Sequence, residues 1–375
     1  MVENAPLIPA YGGSSLADLP RSLLAALGLD EHNVLGIQPA QRICLFLVDG
    51  LGAELLRAHA DVAPFLASAG STTLTAGFPA TTVTSLCSLG TGLPPGEHGM
   101  MGLMLAVPGA GYLFNCLRWT LPDKMVMDPL TWQPATTVFQ RAAAAGIASS
   151  YVAPGAFEGS GLTEAVYRGV RYLGADPVEE RVERVRQALR EAPAYVTVYY
   201  GDLDAVGHMT GWGSEEWLRQ LAIVDQMAER LAETLPGGSA LYVTADHGMV
   251  NASDKIEADS VPALTRGVAM LGGEARARHV YAEDGAAGEV LDAWRETLAG
   301  RAWVVSRQEA VESGWFGPRV RAEWLPRIGD VLAVPYTDLA ITAPTVHRLE
   351  AAFTGYHGSM TAAEQYVPLL EVSTR

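Results

Sequence analysis

Ile43-Cys-Leu-Phe-Leu-Val48 is an uninterrupted apolar run that stops at Asp49-Gly50. Such runs suit strands buried on both faces, as in a parallel sheet. Tyr195-Val-Thr-Val-Tyr-Tyr200 and Ala240-Leu-Tyr-Val-Thr-Ala245 read the same way, and residues 72–78 and 148–153 predict further strands. Between them the period changes. Val178, Val182, Val185 and Leu189 recur among charges as on one face of a helix. Ser214 is a good N-cap, with Glu215 and Glu216 in the first turn, and Trp217, Leu218, Leu221, Val224 and Leu231 continue a long helix. Shorter helices are predicted near 20–29, over 51–60 and over 136–145, the last ended by Gly146. Residues 100–135 carry glycines, prolines and tryptophans without a period, which suggests a long structured loop or a short hairpin.

Strands alternating with helices predict an α/β fold, a doubly wound, mostly parallel sheet. From about 249 to 345 the texture shifts to short strands (302–306, 331–335), one helix (288–299) and many loops. We read this as a smaller α+β lid inserted into a core formed by 1–248 and 346–375.

The chain has 375 residues, of which 49% are hydrophobic, ample for a large core. Its net charge is −16, with Lys124 and Lys255 the only lysines. So acidic a chain is a poor match for an extended nucleic-acid surface. A small phosphorylated substrate remains compatible, because bound metal ions supply local positive charge. Cys44, Cys87 and Cys116 form neither an even framework nor a metal-type spacing. Glu3 stands where a leader would be basic, and no apolar run reaches membrane-spanning length. The expectation is a soluble cytoplasmic protein without membrane attachment.

Buried strands that end in acids carry the chemistry. Val48 runs into Asp49, Tyr200 into Asp202 and Asp204, and Ala245 into Asp246. In an open α/β sheet, ligands bind beyond the carboxyl ends of the strands, so these acids gather at one rim. Taken alone, Asp49-Gly50 is equally an ordinary turn. Histidines accompany the acids: Asp204-Ala-Val-Gly-His208, Asp246-His247, and Gly355-Tyr-His357-Gly358 further on. Oxygen and nitrogen donors of this kind suit zinc or a similar divalent ion. Asp49, Asp204, His208, Asp246, His247 and His357 are enough for two metals with open positions. Paired metals clamp the attacking and leaving oxygens of a phosphoryl displacement at about 3.5–4 Å separation. The hydroxyl comes from Phe78-Pro-Ala-Thr-Thr-Val-Thr-Ser85, whose Thr81, Thr82, Thr84 and Ser85 open a short helix. A hydroxyl there lies in the field of free backbone N–H groups. The bland alternative is a capped core helix.

These residues resemble a known family. Asp49 after an apolar strand, Phe78-Pro-Ala-Thr-Thr with Gly92-Leu-Pro-Pro-Gly-Glu-His-Gly99 behind it, Asp204-x-x-x-His208, Asp246-His-Gly248 and Tyr356-His-Gly358 occur in the order of the alkaline phosphatase superfamily. The branch they resemble is the type I phosphodiesterase/nucleotide pyrophosphatase family, over residues 40–250 and 350–370. The resemblance implies two divalent ions, zinc first and manganese as the alternative. Asp204, His208 and His357 would hold one; Asp49, Asp246 and His247 the other, with Thr82 bound to it. Thr82, third after the Phe-Pro proline, would attack phosphorus in line and form a phosphothreonine that water then hydrolyses. The implied activity is hydrolysis of a phosphodiester or a nucleotide pyrophosphate bond.

The chain departs from the family pattern in two places. The lysine usually preceding the nucleophile is replaced by Thr81. The asparagine that follows the His-Gly motif and contacts a phosphoryl oxygen is missing; His98-Gly99 leads into Met100, Met101, Gly102 and Leu103, and Asn115 serves only if the loop folds back. The alternatives are a phosphomonoesterase, a phosphonate hydrolase or a phosphomutase of the same superfamily, and, in a contrasting class, a non-catalytic metal-binding protein. A sulfatase is disfavoured, because its Cys/Ser-x-Pro-x-Arg is absent around Thr82. His98 reads as a brace of its turn, and His32, His59, His279 and His347 as surface or lid histidines. Asp202 reads either as a partner orienting a histidine or as a turn cap. Met100, Met101, Leu103, Met104, Trp119 and Trp132 read as core, with a pocket wall as the alternative.

Overall fold

The computed structural model describes residues 5–122 and 125–372; the leader reading at Glu3 and the lysine at 124 lie outside the described residues. The central sheet has seven strands. In chain order they are β1 (Arg42–Val48), β2 (Gly70–Thr75), β3 (Ala148–Ala153), β4 (Arg171–Gly174), β5 (Ala194–Tyr200), β6 (Ser239–Thr244) and β7 (Tyr366–Val372). Their spatial order is β2-β7-β6-β1-β5-β3-β4. The expected α/β sheet is present, and it is parallel except for β7, which runs antiparallel to β2 and β6.

β1 lies at the centre, parallel to β5 on one side and β6 on the other. Its run from Ile43 to Val48 is at most 1% exposed, which is why the sequence shows no polar alternation there. Helices cover both faces. The helix Glu215–Thr234 starts at Ser214, whose side chain accepts from Trp217 N, and buries Trp217, Leu221, Val224 and Leu231. The helix Val138–Ala144 carries a capping box between Thr137 and Gln140. No helix among the described residues is long and apolar enough to cross a membrane.

Two segments differ from the sequence expectation. The loop expected after Tyr200 is the helix Asp202–Thr210. Its glycines and mixed polarity hide the period, yet it sets Asp204 and His208 four residues apart on one face. β7 also went unread, because Tyr-Val-Pro-Leu-Leu-Glu-Val contains a proline that demotes a strand reading. Within 100–135 the hairpin alternative holds: Met104–Ala106 pairs antiparallel with Leu113–Asn115.

Residues 268–335 build a separate four-stranded antiparallel sheet, in the order Val268–Glu274, Ala277–Ala282, Val331–Pro335, Ala302–Ser306. The helix Ala287–Thr297 lays Val290 and Trp294 on it. This unit packs on the core through Phe78, whose ring meets Trp315 and Phe316 at 5.1 and 5.3 Å. Gly96 N donates to Phe316 O (2.7 Å) and Gly96 O accepts from Arg321 N (3.0 Å). A side chain at Gly96 would lie 2.4 Å from Arg319 O, so that turn needs glycine.

Candidate metal centre

The adjacent strands β6, β1 and β5 deliver Asp246, Asp49 and the helix with Asp204 to one rim. The peptide after Asp49 is Gly50, with φ 75°, and an added Cβ would sit 3.0 Å from the Asp204 carboxylate. Only glycine permits both the left-handed turn and this approach. Gly50 N donates to Asp246 Oδ1 at 3.1 Å. His357 follows the strand Gly355–Tyr356, which pairs with Val250–Asn251 just beyond His247.

The structure brings all seven sequence-derived residues together. His208 Nε2 lies 3.2 Å from Asp204 Oδ2 and 3.2 Å from His357 Nε2. His247 Nε2 lies 3.4 Å from Asp49 Oδ1, 3.5 Å from Asp246 Oδ2 and 3.2 Å from Thr82 Oγ1. Asp204, His208 and His357 present ligand atoms within 4.8 Å of one another, and so do Asp49, Asp204 and His247. Asp204 therefore reaches both groups, a role the sequence assignment gave it for one alone.

The chemistry of these donors fits cations. Asp49 Oδ1, Asp204 Oδ1 and Asp246 Oδ2 are buried without a hydrogen-bond partner. Three unpartnered carboxylate oxygens in one buried place are costly unless positive charge compensates them. Each histidine has its Nδ1 at a backbone carbonyl: His208 at Gly355 O (2.8 Å), His247 at Gly248 O (3.0 Å) and His357 at Ala80 O (3.0 Å). A carbonyl only accepts, so each Nδ1 carries the proton and each Nε2 offers its lone pair to the centre.

Electrostatics agree. Burial pushes the Asp49 carboxyl well above its ordinary range, and Asp246 and Asp204 push it further. Asp246 is raised as well, chiefly by burial. Burial also opposes charge on Asp204, but His208, His357 and His247 outweigh it and hold that carboxyl low. Burial and the neighbouring His247 drive His357 well below the ordinary imidazole value. For His208 burial acts in the same sense, but the Asp204 carboxylate reverses it and raises the value.

Thr82 is the first residue of the helix Thr82–Thr91, capped in extended conformation by Thr81 and closed by Gly92 at φ 71°. Its hydroxyl thus meets the helix N-terminus and the His247 edge of the centre together. Thr84 and Ser85 are buried in the same helix, away from the pocket. The pocket has a volume of 610 Å³ and is lined by Thr82, Asp204, His208 and His357 together with Asn115, Arg118, Glu274, Phe353 and Tyr356. Asn115 is there because its hairpin folds back. Its Oδ1 accepts from Leu117 N (3.1 Å) and Arg118 N (2.8 Å), which leaves the Nδ2 donors for a ligand. Leu103 lines the pocket, whereas Met100, Met101 and Trp132 are core.

Two groups escaped the sequence reading. Tyr199 donates to Asp49 Oδ2 at 2.5 Å, and burial beside the Asp49 charge keeps that phenol protonated. The signal was available: Tyr199 is the penultimate residue of β5, beside the strand that runs into Asp49. Glu274 comes from the inserted sheet; burial pushes its carboxyl up to about 8. Asp202 is exposed in the first turn of its helix and orients no histidine. His98 is fully buried, with Ser88 Oγ at 3.1 Å and Met100 N donating to its Nδ1. His59 is neither surface nor lid; it is half-buried against the Trp212 and Trp217 rings.

An open, mostly parallel sheet with paired acid–histidine groups at its carboxyl rim defines an α/β protein built to hold divalent cations beside a helix-borne hydroxyl. Residues 43–360 match the family described as type I phosphodiesterase / nucleotide pyrophosphatase, and the chain belongs to that family. It is 30% identical over 236 residues to ectonucleotide pyrophosphatase/phosphodiesterase family member 3 of Rattus norvegicus. That match takes in 57% of this chain but only 26% of the relative's length. An inactive threonine-to-alanine variant of murine ectonucleotide pyrophosphatase/phosphodiesterase 5, in complex with AMP, shares the fold at TM-score 0.68 and 20% identity, over 88% of this chain and 87% of that one. Phosphonoacetate hydrolase from Sinorhizobium meliloti 1021, in complex with phosphonoacetate, does so at TM-score 0.65 and 20% identity, over 89% and 90%.

Proposed function

We propose that this chain is a two-metal phosphohydrolase that cleaves a phosphodiester or nucleotide pyrophosphate bond with Thr82 as nucleophile. The observation that carries this reading is the convergence of three unpartnered carboxylate oxygens and three histidine Nε2 atoms beside Thr82 Oγ1. Asp204, His208 and His357 hold one divalent ion; Asp49, Asp246 and His247 hold the other. Zinc suits this mixed nitrogen and oxygen set, with manganese as the alternative. When bound, the ions supply Lewis-acid stabilisation of charge on the attacking and leaving oxygens.

The chain's own residues do the rest. Thr82 Oγ1 forms a bond to phosphorus as the P–O bond to the leaving group breaks in line. The hydroxyl proton is released, and the leaving oxygen takes one up. Water then cleaves the phosphothreonine and restores the hydroxyl. The murine relative described as inactive carries a threonine-to-alanine change, which supports a threonine in this role. Asn115 Nδ2 supplies the phosphoryl-oxygen contact that no side chain from Met100 to Leu103 can.

Arg118, on the pocket wall beside Asn115, favours a second reading, a substrate with an additional anionic group such as a phosphomonoester or a phosphonate. A panel of para-nitrophenyl mono- and diesters and phosphonoacetate, assayed with added zinc or manganese, separates the two. Diester turnover exceeding the others supports the first reading. The reverse order replaces it with the second, and no turnover with bound metal returns the chain to the non-catalytic class.

A further inference from the structure

Arg276 and Glu364 form an ion pair with both side chains fully buried. Arg276 Nε lies 3.0 Å from Glu364 Oε1, and Nη2 lies 2.7 Å from Oε2. The remaining acceptor capacity of the carboxylate is also used. Oε1 accepts from Ser359 N (3.0 Å), two residues beyond His357, and Oε2 from Thr361 Oγ1 (2.6 Å). Arg276 Nη1 donates to Thr337 O and Leu339 O, on the returning arm of the inserted unit. The backbone of Glu364 meets the other ligand turn, because Gly248 N donates to Glu364 O at 2.9 Å.

A buried ion pair is weak evidence for stability, since an apolar pair of similar volume often serves as well. This one ties the inserted unit to the loop bearing His357, and its carboxylate belongs to the segment on which the His247 turn rests. Glu364 thus meets both ligand turns and, through Arg276, the insert. We propose that Arg276 and Glu364 are positioning residues through which the inserted unit sets His357 against its partners Asp204 and His208. The proposal rests on the two-metal reading above.

The effect is selective. An apolar side chain at Glu364 removes the acceptor for Ser359 N but leaves the Gly248 hydrogen bond, which uses backbone atoms, and the bond from Ser359 Oγ to Pro335 O. The group Asp204–His208–His357 therefore loses affinity, and the group Asp49–Asp246–His247 keeps it. The double variant Arg276→Met with Glu364→Met leaves no unpaired buried charge and no acceptor for Ser359 N. Zinc affinities measured by chelator competition should show one site weakened about tenfold or more, in the range for partners that orient metal ligands, and the other changed less than about twofold. The residual single-site behaviour should match that of His357→Ala and not that of His247→Ala. Circular dichroism reports the fold separately. Thr361→Val, which removes one hydrogen bond and no charge, should weaken the same site in the same direction, and it decides the matter if the double variant does not fold. Equal weakening of both sites, or no weakening, overturns the proposal. A wild-type protein that binds fewer than two metals overturns the two-metal reading instead.

Discussion

His247 and His357 stack face to face, with ring centroids 3.6 Å apart and planes 16° from parallel. They reach this contact from turns 110 residues apart in the chain, and they belong to different candidate metal groups. Both Nδ1 atoms are held by carbonyl oxygens, of Gly248 and Ala80. The stack thus sets two Nε2 lone pairs side by side, as a pair of adjacent cations requires.

Thr82→Ala should abolish hydrolysis, lowering kcat by about three orders of magnitude or more, as loss of a covalent nucleophile does. Thr82 is one of several groups at the centre, so metal content should stay near the wild-type value. Steady-state kinetics with elemental analysis of the same preparation checks both. Full activity in the variant removes Thr82 from its role.

Asn115→Ala should lower kcat about 10²-fold, the cost of removing a hydrogen-bond donor to a phosphoryl oxygen. Zinc binding should be unaffected, because Asn115 is not among the ligand groups. A change confined to KM would place Asn115 in ground-state binding only.

The hydrogen bond from Tyr199 to Asp49 predicts that Tyr199→Phe weakens metal binding by about 10- to 100-fold. Chelator competition measures this directly. The ring packing survives the change, so the melting temperature of the metal-free protein should move little.

Raised carboxyl values at Asp49 and Asp246 make metal-free stability fall with pH. A folded-state value above the unfolded one means that the folded chain binds the proton more tightly. That contribution is complete below the unfolded carboxylate range of about 4 and is lost as pH rises through the raised values. Divalent ions displace these protons and the one on His208, whose value is also raised. The stabilisation by added zinc should therefore be larger at about pH 8 than at about pH 5. At a thousandfold excess over Kd it amounts to about 4 kcal/mol per site. Melting curves across pH, with and without zinc, test this; an equal zinc effect at both values contradicts it.

The parts of this molecule legible in its sequence are those where one local pattern decides the outcome. β1, β5 and β6 are buried on both faces, so their residues are continuously apolar, and the acids that end them mark the rim. Asp49, Asp246 and His247 were readable for that reason. The helix carrying Asp204 and His208 was not, because Gly201, Gly207 and Gly211 flank and interrupt it and imitate a loop. Glu274 and the Arg276–Glu364 pair act through contacts between distant segments, which no local period records, and Asn115, a candidate in the sequence, reaches the pocket only because its hairpin folds back. Asp204's reach to both groups depends on the close approach of Gly50, which only the folded chain shows.

Anomalous diffraction from crystals of the zinc-loaded protein tests the central claim most directly. The account predicts two peaks about 3.5–4 Å apart, one among Asp204, His208 and His357 and one among Asp49, Asp246 and His247 beside Thr82 Oγ1. A single peak, or two peaks elsewhere in the chain, would contradict it.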